Sequence, residues 1–241
     1  MRILVALLAV CLDIWSWKIA SAGALSISPT RLAVTPESKV IAFNLRNGSD
    51  DKALIEVAIF AWTDVDNPKA LTPTDDFLIV PPIAEIPANE TQVLRLAPRL
   101  AGGLEGERAY RLIVRELPAE VGPQNGVGFA VEMSLPVFLA PEGARAESTW
   151  SVRWRDPATP ELMVTNHGTA HMRVQSFELF DDAARAPLFA SSDGAYVLPG
   201  EEKAWPLDIA LAQLEGVITV KAETTAGPLV ALVALPDSAT P

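Results

Sequence analysis

Alternation of apolar and polar residues with period two runs through most of the chain. Val40 to Leu45 alternates and stops at Asn47-Gly48, and Leu54 to Phe60 resumes the pattern. Phe77 to Val80 is a short apolar run closed by Pro81-Pro82, and Gln92 to Leu96 follows a Pro-Ala-Asn-Glu turn. Tyr110, Leu112 and Val114 alternate with Arg111, Ile113 and Arg115, and Val127 to Leu139 is the longest run of β type. After Pro141-Glu142-Gly143-Ala144, which reads as a linker, a second series begins: Trp150 to Trp154, Leu162 to Asn166, His171 to Phe180, Tyr196 to Gly200, Val217 to Lys221 and Leu229 to Leu235. Strands at this spacing, punctuated by Pro, Gly, Asn and Asp, predict β-sandwiches. Only Leu207 to Leu214 suggests a short helical turn.

The two series resemble each other. Leu45-Arg46-Asn47-Gly48-Ser49 matches Val164-Thr165-Asn166-His167-Gly168, and Ile86-Pro87-Ala88-Asn89-Glu90 matches Leu198-Pro199-Gly200-Glu201-Glu202. Two related sandwiches in tandem account for both matches. The length of 241 residues suits two domains of about 100–120 residues. An apolar content of 49% with 20% charged residues supplies two cores and excludes a disordered chain.

Residues 1–22 read as a signal peptide. Arg2 precedes an apolar stretch, Ile3 to Leu12, too short to span a bilayer, and Ala20-Ser21-Ala22 is a cleavage site of A-x-A type. A cut after Ala24 is the alternative. Cleavage removes Cys11, the only cysteine, so the exported chain is held by packing alone, with no disulfide and no cysteine-based zinc site. Nothing else reads as a membrane span, and no stable membrane insertion is expected. The net charge of −11 argues against a nucleic-acid partner, which would need a basic field.

Catalytic chemistry finds little footing. His167 and His171 are the only histidines; they lie at a turn and a strand start, where a solvated turn is a better reading than a metal site. No nucleophile elbow or phosphate-binding glycine loop occurs. Asp75-Asp76 and Asp181-Asp182 read as solvated loop charges, since adjacent strand residues face opposite ways. Asn47-Gly48-Ser49 and Asn89-Glu90-Thr91 fit the glycosylation sequon, but ordinary turn chemistry is preferred. No cofactor, no metal and no enzymatic activity are expected.

Six motifs in order carry a resemblance. They are Ser28-Pro29-Thr30-Arg31-Leu32; Phe60-Ala61-Trp62-Thr63; Pro73 to Pro82 with Ile86-Pro87; Gln92-Val93-Leu94-Arg95; Glu107-Arg108-Ala109-Tyr110-Arg111-Leu112 leading to Arg115-Glu116-Leu117-Pro118; and Ser134-Leu135-Pro136-Val137-Phe138-Leu139-Ala140-Pro141. Together they resemble the periplasmic chaperones of chaperone–usher pilus assembly, and within them the archaic, spore-coat-U-associated (Csu-type) branch. The match is sharper before Pro141 than after it.

The resemblance implies an all-β chain of two immunoglobulin-like sandwiches set as a boomerang, residues 23–141 and 142–241, with a cleft between them. It implies a periplasmic location, pilus subunits and an outer-membrane usher as partners, and lending of a strand to a subunit that lacks its last one. Self-association that hides the donor strand stays open. The donor row would be Val127, Phe129, Val131, Met133 and Leu135, with Leu135 and Val137 able to serve the local core instead. Arg31 matches the family's first-strand arginine, which holds the subunit's C-terminal carboxylate. The family's donor-strand lysine is Pro136 here, and Arg111, whose parity opposes Tyr110 and Leu112, is the candidate second cation. Arg95 and Glu116 match charge partners expected to fix the interdomain geometry, although the arginine before the closing proline is Ala140. The competing readings are a structural pilus subunit, which would be one incomplete domain, and a secreted carbohydrate-binding or hydrolytic β-sandwich, which would need exposed aromatics or paired acids in a pocket.

Overall fold

The computed structural model describes residues 25–38, 40–65, 67, 71–99, 103–117, 130–156, 159–181, 186–209 and 216–235. The expected signal peptide lies outside these residues, as do Val127, Phe129 and most of the helical turn expected at Leu207 to Leu214. Strands are the regular elements among the described residues. The first ten are β1 (Leu25–Ser28), β2 (Leu32–Val34), β3 (Ile41–Asn47), β4 (Ala53–Trp62), β5 (Leu71–Pro73), β6 (Phe77–Val80), β7 (Ile83–Ile86), β8 (Thr91–Pro98), β9 (Arg108–Leu117) and β10 (Glu132–Leu139). They make two sheets, ordered β1-β3-β8-β6 and β2-β10-β9-β4-β5, with β7 also on β4.

The alternation in each strand decides which side chains meet between the sheets. Phe43 and Leu45 on β3 and Leu94 and Leu96 on β8 face Ile55 and Val57 on β4 and Tyr110, Leu112 and Val114 on β9, and all are buried. Each fully buried side chain of this kind contributes about 1.5–3 kcal/mol of transfer free energy. Without cysteines, this apolar interior is what holds the sandwich together. Tyr110 is the one core residue here with a polar tip. Its hydroxyl donates to Asp76 at 2.7 Å, and its ring meets Phe77 edge-on. Burial, then the hydrogen bond to the carboxylate, push the phenol's pKa well up. Asp76 is therefore an internal partner of Tyr110 rather than a solvated loop charge.

The second sandwich comprises β11 (Ser148–Asp156), β12 (Thr159–Asn166), β13 (Met172–Asp181), β14 (Phe189–Ser191), β15 (Ala195–Val197), β16 (Glu202–Pro206), β17 (Val217–Thr224) and β18 (Gly227–Ala234). Its sheets run β11-β12-β16 and β14-β13-β17-β18, with β15 on β13. Trp150, Leu162, Val164, Val174, Phe177, Leu179, Trp205 and Val220 form its core.

The internal repeat has a structural meaning. Asn47, 1% exposed at the end of β3, donates its side-chain amide to Asp51 O, Ile86 O and Pro87 O, and its Oδ1 accepts from the backbone of Ser49. Asn166, at the end of β12, donates to Ala170 O and Val197 O, and accepts from the backbone of Gly168. Each asparagine thus ties its own turn to a distant one, and Asn47 spends its amide inside the domain. The second half of the repeat is displaced by one residue from the sequence match. Asn47 N donates to Glu90 O and Asn166 N to Glu201 O, so Glu90 corresponds to Glu201, and Asn89 to Gly200. Both Asn89 and Gly200 have positive φ, 62° and 80°, a conformation asparagine and glycine tolerate. Backbone conformation, not the Pro-x pair, sets the alignment.

Candidate functional site: the interdomain cleft and the open edge of β10

β10 is paired unevenly on its two sides. It pairs antiparallel with β9 from Glu132 to Leu139, but β2 covers its other side, in parallel, only from Val137 to Leu139. From Glu132 to Pro136 the outer lane holds no strand among the described residues. The pairing with β9 continues past the strand's start, since Glu116 N donates to Val131 O at 2.8 Å and Val131 N donates to the Glu116 carboxylate at 3.4 Å. Among the described residues, the backbone donors and acceptors on that side are aligned and lie at a sheet edge.

The apolar row on this strand divides. Leu135 is 5% exposed and belongs to the first domain's core, so it is not available to a partner. Met133 packs against the rim of that core and is partly buried, and Val131 is half-buried. Toward its N-terminal end, therefore, the strand gives up less of its row to its own domain.

The register fixes the arginines. Leu32 pairs with Val137, which carries Arg31, one residue earlier, to the level of Pro136; Arg111 lies directly opposite Pro136 on the other side. The two arginines stand in one row across the sheet, two strand spacings or about 10 Å apart. Both have the parity that faces away from the first core. Arg31 is exposed and lines a pocket of about 430 Å³ with Arg145, His171 and Thr225. The Arg111 guanidinium lies 3.7 Å from the centre of the Trp62 ring and 5.9 Å from that of Tyr196. Burial lowers the Arg111 pKa, the mark of a cation short of hydration. Neither arginine has a carboxylate within 4 Å among the described residues, in a chain of net charge −11.

The cleft forms where the second domain meets one end of the outer face of β4, β9 and β10. Trp62, Phe138 and Leu198 form a small buried cluster, joined by Ala109 and Tyr196. The joint is pinned by Glu107 and His171. The Glu107 carboxylate, 4% exposed, accepts the His171 backbone N–H at 2.9 Å and the ring Nδ1–H at 2.8 and 2.9 Å to its two oxygens. A carboxylate only accepts, so Nδ1 is the donor. The imidazole also stacks on Phe138, 3.4 Å between centroids and 8° between planes, and Glu107 N donates to Thr169 O. His171 is thus an interdomain strut rather than a solvated turn residue, whereas His167 is exposed and reaches Thr149. The linker is held to the same turn: His167 N donates to Glu147 O, and a Cβ on Gly168 would stand 2.3 Å from Arg145 O, so no other residue fits there.

Arg95 and Glu116 do not perform that task. Arg95 is exposed on the outer face of the four-stranded sheet, while Glu116 on β9 binds Val131. Sequence reasoning missed His171, whose partner lies 64 positions away, and missed Arg145 and Arg173; no local motif marks any of them.

Comparison with solved structures agrees with this architecture. The CsuC chaperone in the CsuC–CsuE chaperone–tip adhesion subunit pre-assembly complex from archaic chaperone-usher Csu pili of Acinetobacter baumannii matches with a TM-score of 0.63 at 21% identity, over 88% of this chain and 99% of that one. The YadV chaperone matches at 0.60 and 18%, over 88% and 99%. A chain in the complex of Salmonella enterica SafA pilin with the SafB chaperone matches at 0.61 and 16%, over 88% and 97%. At these identities the likeness establishes two immunoglobulin-like sandwiches. No protein of curated function matches the sequence. The family model for the pili and flagellar-assembly chaperone, PapD N-terminal domain, matches residues 24–145, just over half of the chain and the whole segment that carries β1 to β10 and both cleft arginines, so the chain belongs to the pilus-assembly chaperones of the chaperone–usher type.

Proposed function

We propose that this chaperone captures a pilus subunit on the open lane beside β10 and stops it at Arg31. The observation that carries the reading is the lane beside Glu132 to Pro136, which no strand fills among the described residues, with Arg31 at its end. A guest strand in that lane completes the ladder with main-chain hydrogen bonds, while alternate side chains of Val127, Phe129, Val131 and Met133 enter the guest's apolar groove. Charge sets the direction. A guest running parallel to β10 arrives at Arg31 with its C-terminal carboxylate, whereas an antiparallel guest would bring its amino end to a cation. A fixed carboxylate also fixes register, and a slip of one residue would turn every side chain to the wrong face.

The rest of the reading follows from the family. The chaperone is not an enzyme; it covers an edge that would otherwise aggregate, and hands the subunit to an outer-membrane usher. Export by the segment 1–22 places it in the periplasm, and the chaperone domains are residues 23–141 and 142–241. The test is affinity capture from periplasm with the wild type and with Arg31→Ala. The wild type is expected to retain a small β-rich subunit. Loss of a charge-assisted contact to a carboxylate left in the cleft costs about 2–5 kcal/mol, enough to abolish recovery, while chaperone melting is unchanged because Arg31 is exposed. Wild-type subunit yield with the mutant would overturn the anchor.

A further inference from the structure

We propose that Arg173, from the second domain, is the further cation of the carboxylate site, so that the two domains close on the guest's terminus together. This rests on the reading of the cleft as a carboxylate anchor. Three observations carry it. The start of β13 and the residue before it place His171 and Arg173 on one face, Met172 and Val174 being buried on the other, and His171 stacks on Phe138 of the first domain. Arg173 therefore points along the cleft side of the second sandwich. Its guanidinium lies 5.3 Å from the centre of the Tyr196 ring, which also has Arg111 at 5.9 Å. Among the described residues neither guanidinium has a carboxylate partner within 4 Å.

Two arginines drawn from two domains onto one tyrosine repel each other unless an anion lies between or beside them. The aromatic floor of Trp62 and Tyr196 holds the guanidinium planes without consuming their N–H donors, which stay free for a planar oxyanion. Pro136, which lies between Arg31 and Arg111 in the row, offers no charge. The ligand class is a carboxylate at the end of an extended peptide, and Arg173 is a specificity-determining residue for it.

The test uses two probes, acetyl-Thr-Val-Thr-Val-Thr-Phe with a free carboxylate and its carboxamide, titrated into the exported chain. The measurements are calorimetry and the Nε–Hε signal of Arg173 in 15N NMR. The wild type is expected to prefer the acid by about thirtyfold or more, from the charge-assisted contacts of Arg31 and Arg173 together. Because Arg173 is exposed, Arg173→Ala should cut that preference about three- to fivefold, leave the carboxamide affinity unchanged, and leave melting unchanged. Arg173→Lys should restore part of it, and the Arg173 signal should move with the acid alone. An unchanged preference in Arg173→Ala, or a signal that ignores the acid, overturns the assignment; loss of preference in Arg31→Ala would then leave the anchor itself standing. A wild type that shows no preference for the acid overturns the anchor and Arg173 with it.

Discussion

Replacing His171 by alanine isolates the joint between the domains. The imidazole supplies Glu107 with one of its two donors from that residue, shared between both carboxylate oxygens at 2.8 and 2.9 Å. With the ring gone, a carboxylate that is 4% exposed keeps only the His171 backbone N–H. A hydrogen bond to a charged group is worth about 1.5–3 kcal/mol, and the lost stack on Phe138 adds about 0.5–1.5 kcal/mol. The expected destabilisation is therefore about 2–4 kcal/mol, which at this size lowers the melting temperature by about 4–16 °C. Neither sandwich core contains His171, so the loss should fall on the coupling between domains. Calorimetry should show the unfolding transitions drawing apart, and small-angle scattering should show a broader range of interdomain angles. Glu107→Gln and the double variant complete a cycle whose coupling energy should reach about 1.5 kcal/mol or more. Replacement by phenylalanine keeps a ring on Phe138 but starves Glu107, and should recover only the stacking share. If His171→Ala melts as the wild type does and is additive with Glu107→Gln, the strut reasoning is wrong.

The other expectations concern single residues. Val131→Asp should leave the free chaperone's melting within about 1 kcal/mol, because Val131 is only half-buried, yet eliminate subunit recovery by placing an unpaired charge in an apolar groove; an unfolded free mutant would show that Val131 belongs to the core. Leu135→Ala, by contrast, should cost the free chaperone about 2–5 kcal/mol in denaturant titration. Asn47→Ala and Asn166→Ala should each destabilise their own domain by about 1–3 kcal/mol, since each takes the amide donor from one buried carbonyl, Ile86 O or Val197 O, and from part-buried ones beside it, and proteolysis should find the damage confined to that domain. Tyr110→Phe keeps the edge-on contact with Phe77 but leaves Asp76 only the longer contact with Arg108 at 3.5 Å, costing about 1–2 kcal/mol in chemical unfolding; an unchanged midpoint would mean that the hydroxyl is not needed.

Much of this protein was written in period two. Alternation placed Phe43, Leu45, Leu94, Tyr110 and Leu112 on inward faces, and the repeated Asn47 and Asn166 turns announced two copies of one sandwich, because strand side chains have two faces and one must be dry. The ordered motifs carried the family and pointed to Arg31, and strand parity put Arg111 on the outward face. Parity, however, only sorts residues between two faces; what each face meets is decided by how sheets and domains stack. The same alternation on β10 puts Leu135 inside its own core and leaves Val131 half-buried, a division set by where β2 begins and the opposite sheet ends. Arg111 reads as an outward strand residue, yet Trp62 of its own sheet and Tyr196 of the second domain flank it where the two domains meet. His171 reads as a turn residue until Glu107 and Phe138 arrive from the other sandwich. Contacts between domains join side chains far apart in the chain, through geometry that no local pattern encodes, and it is there that the cleft gained its strut and its aromatic floor.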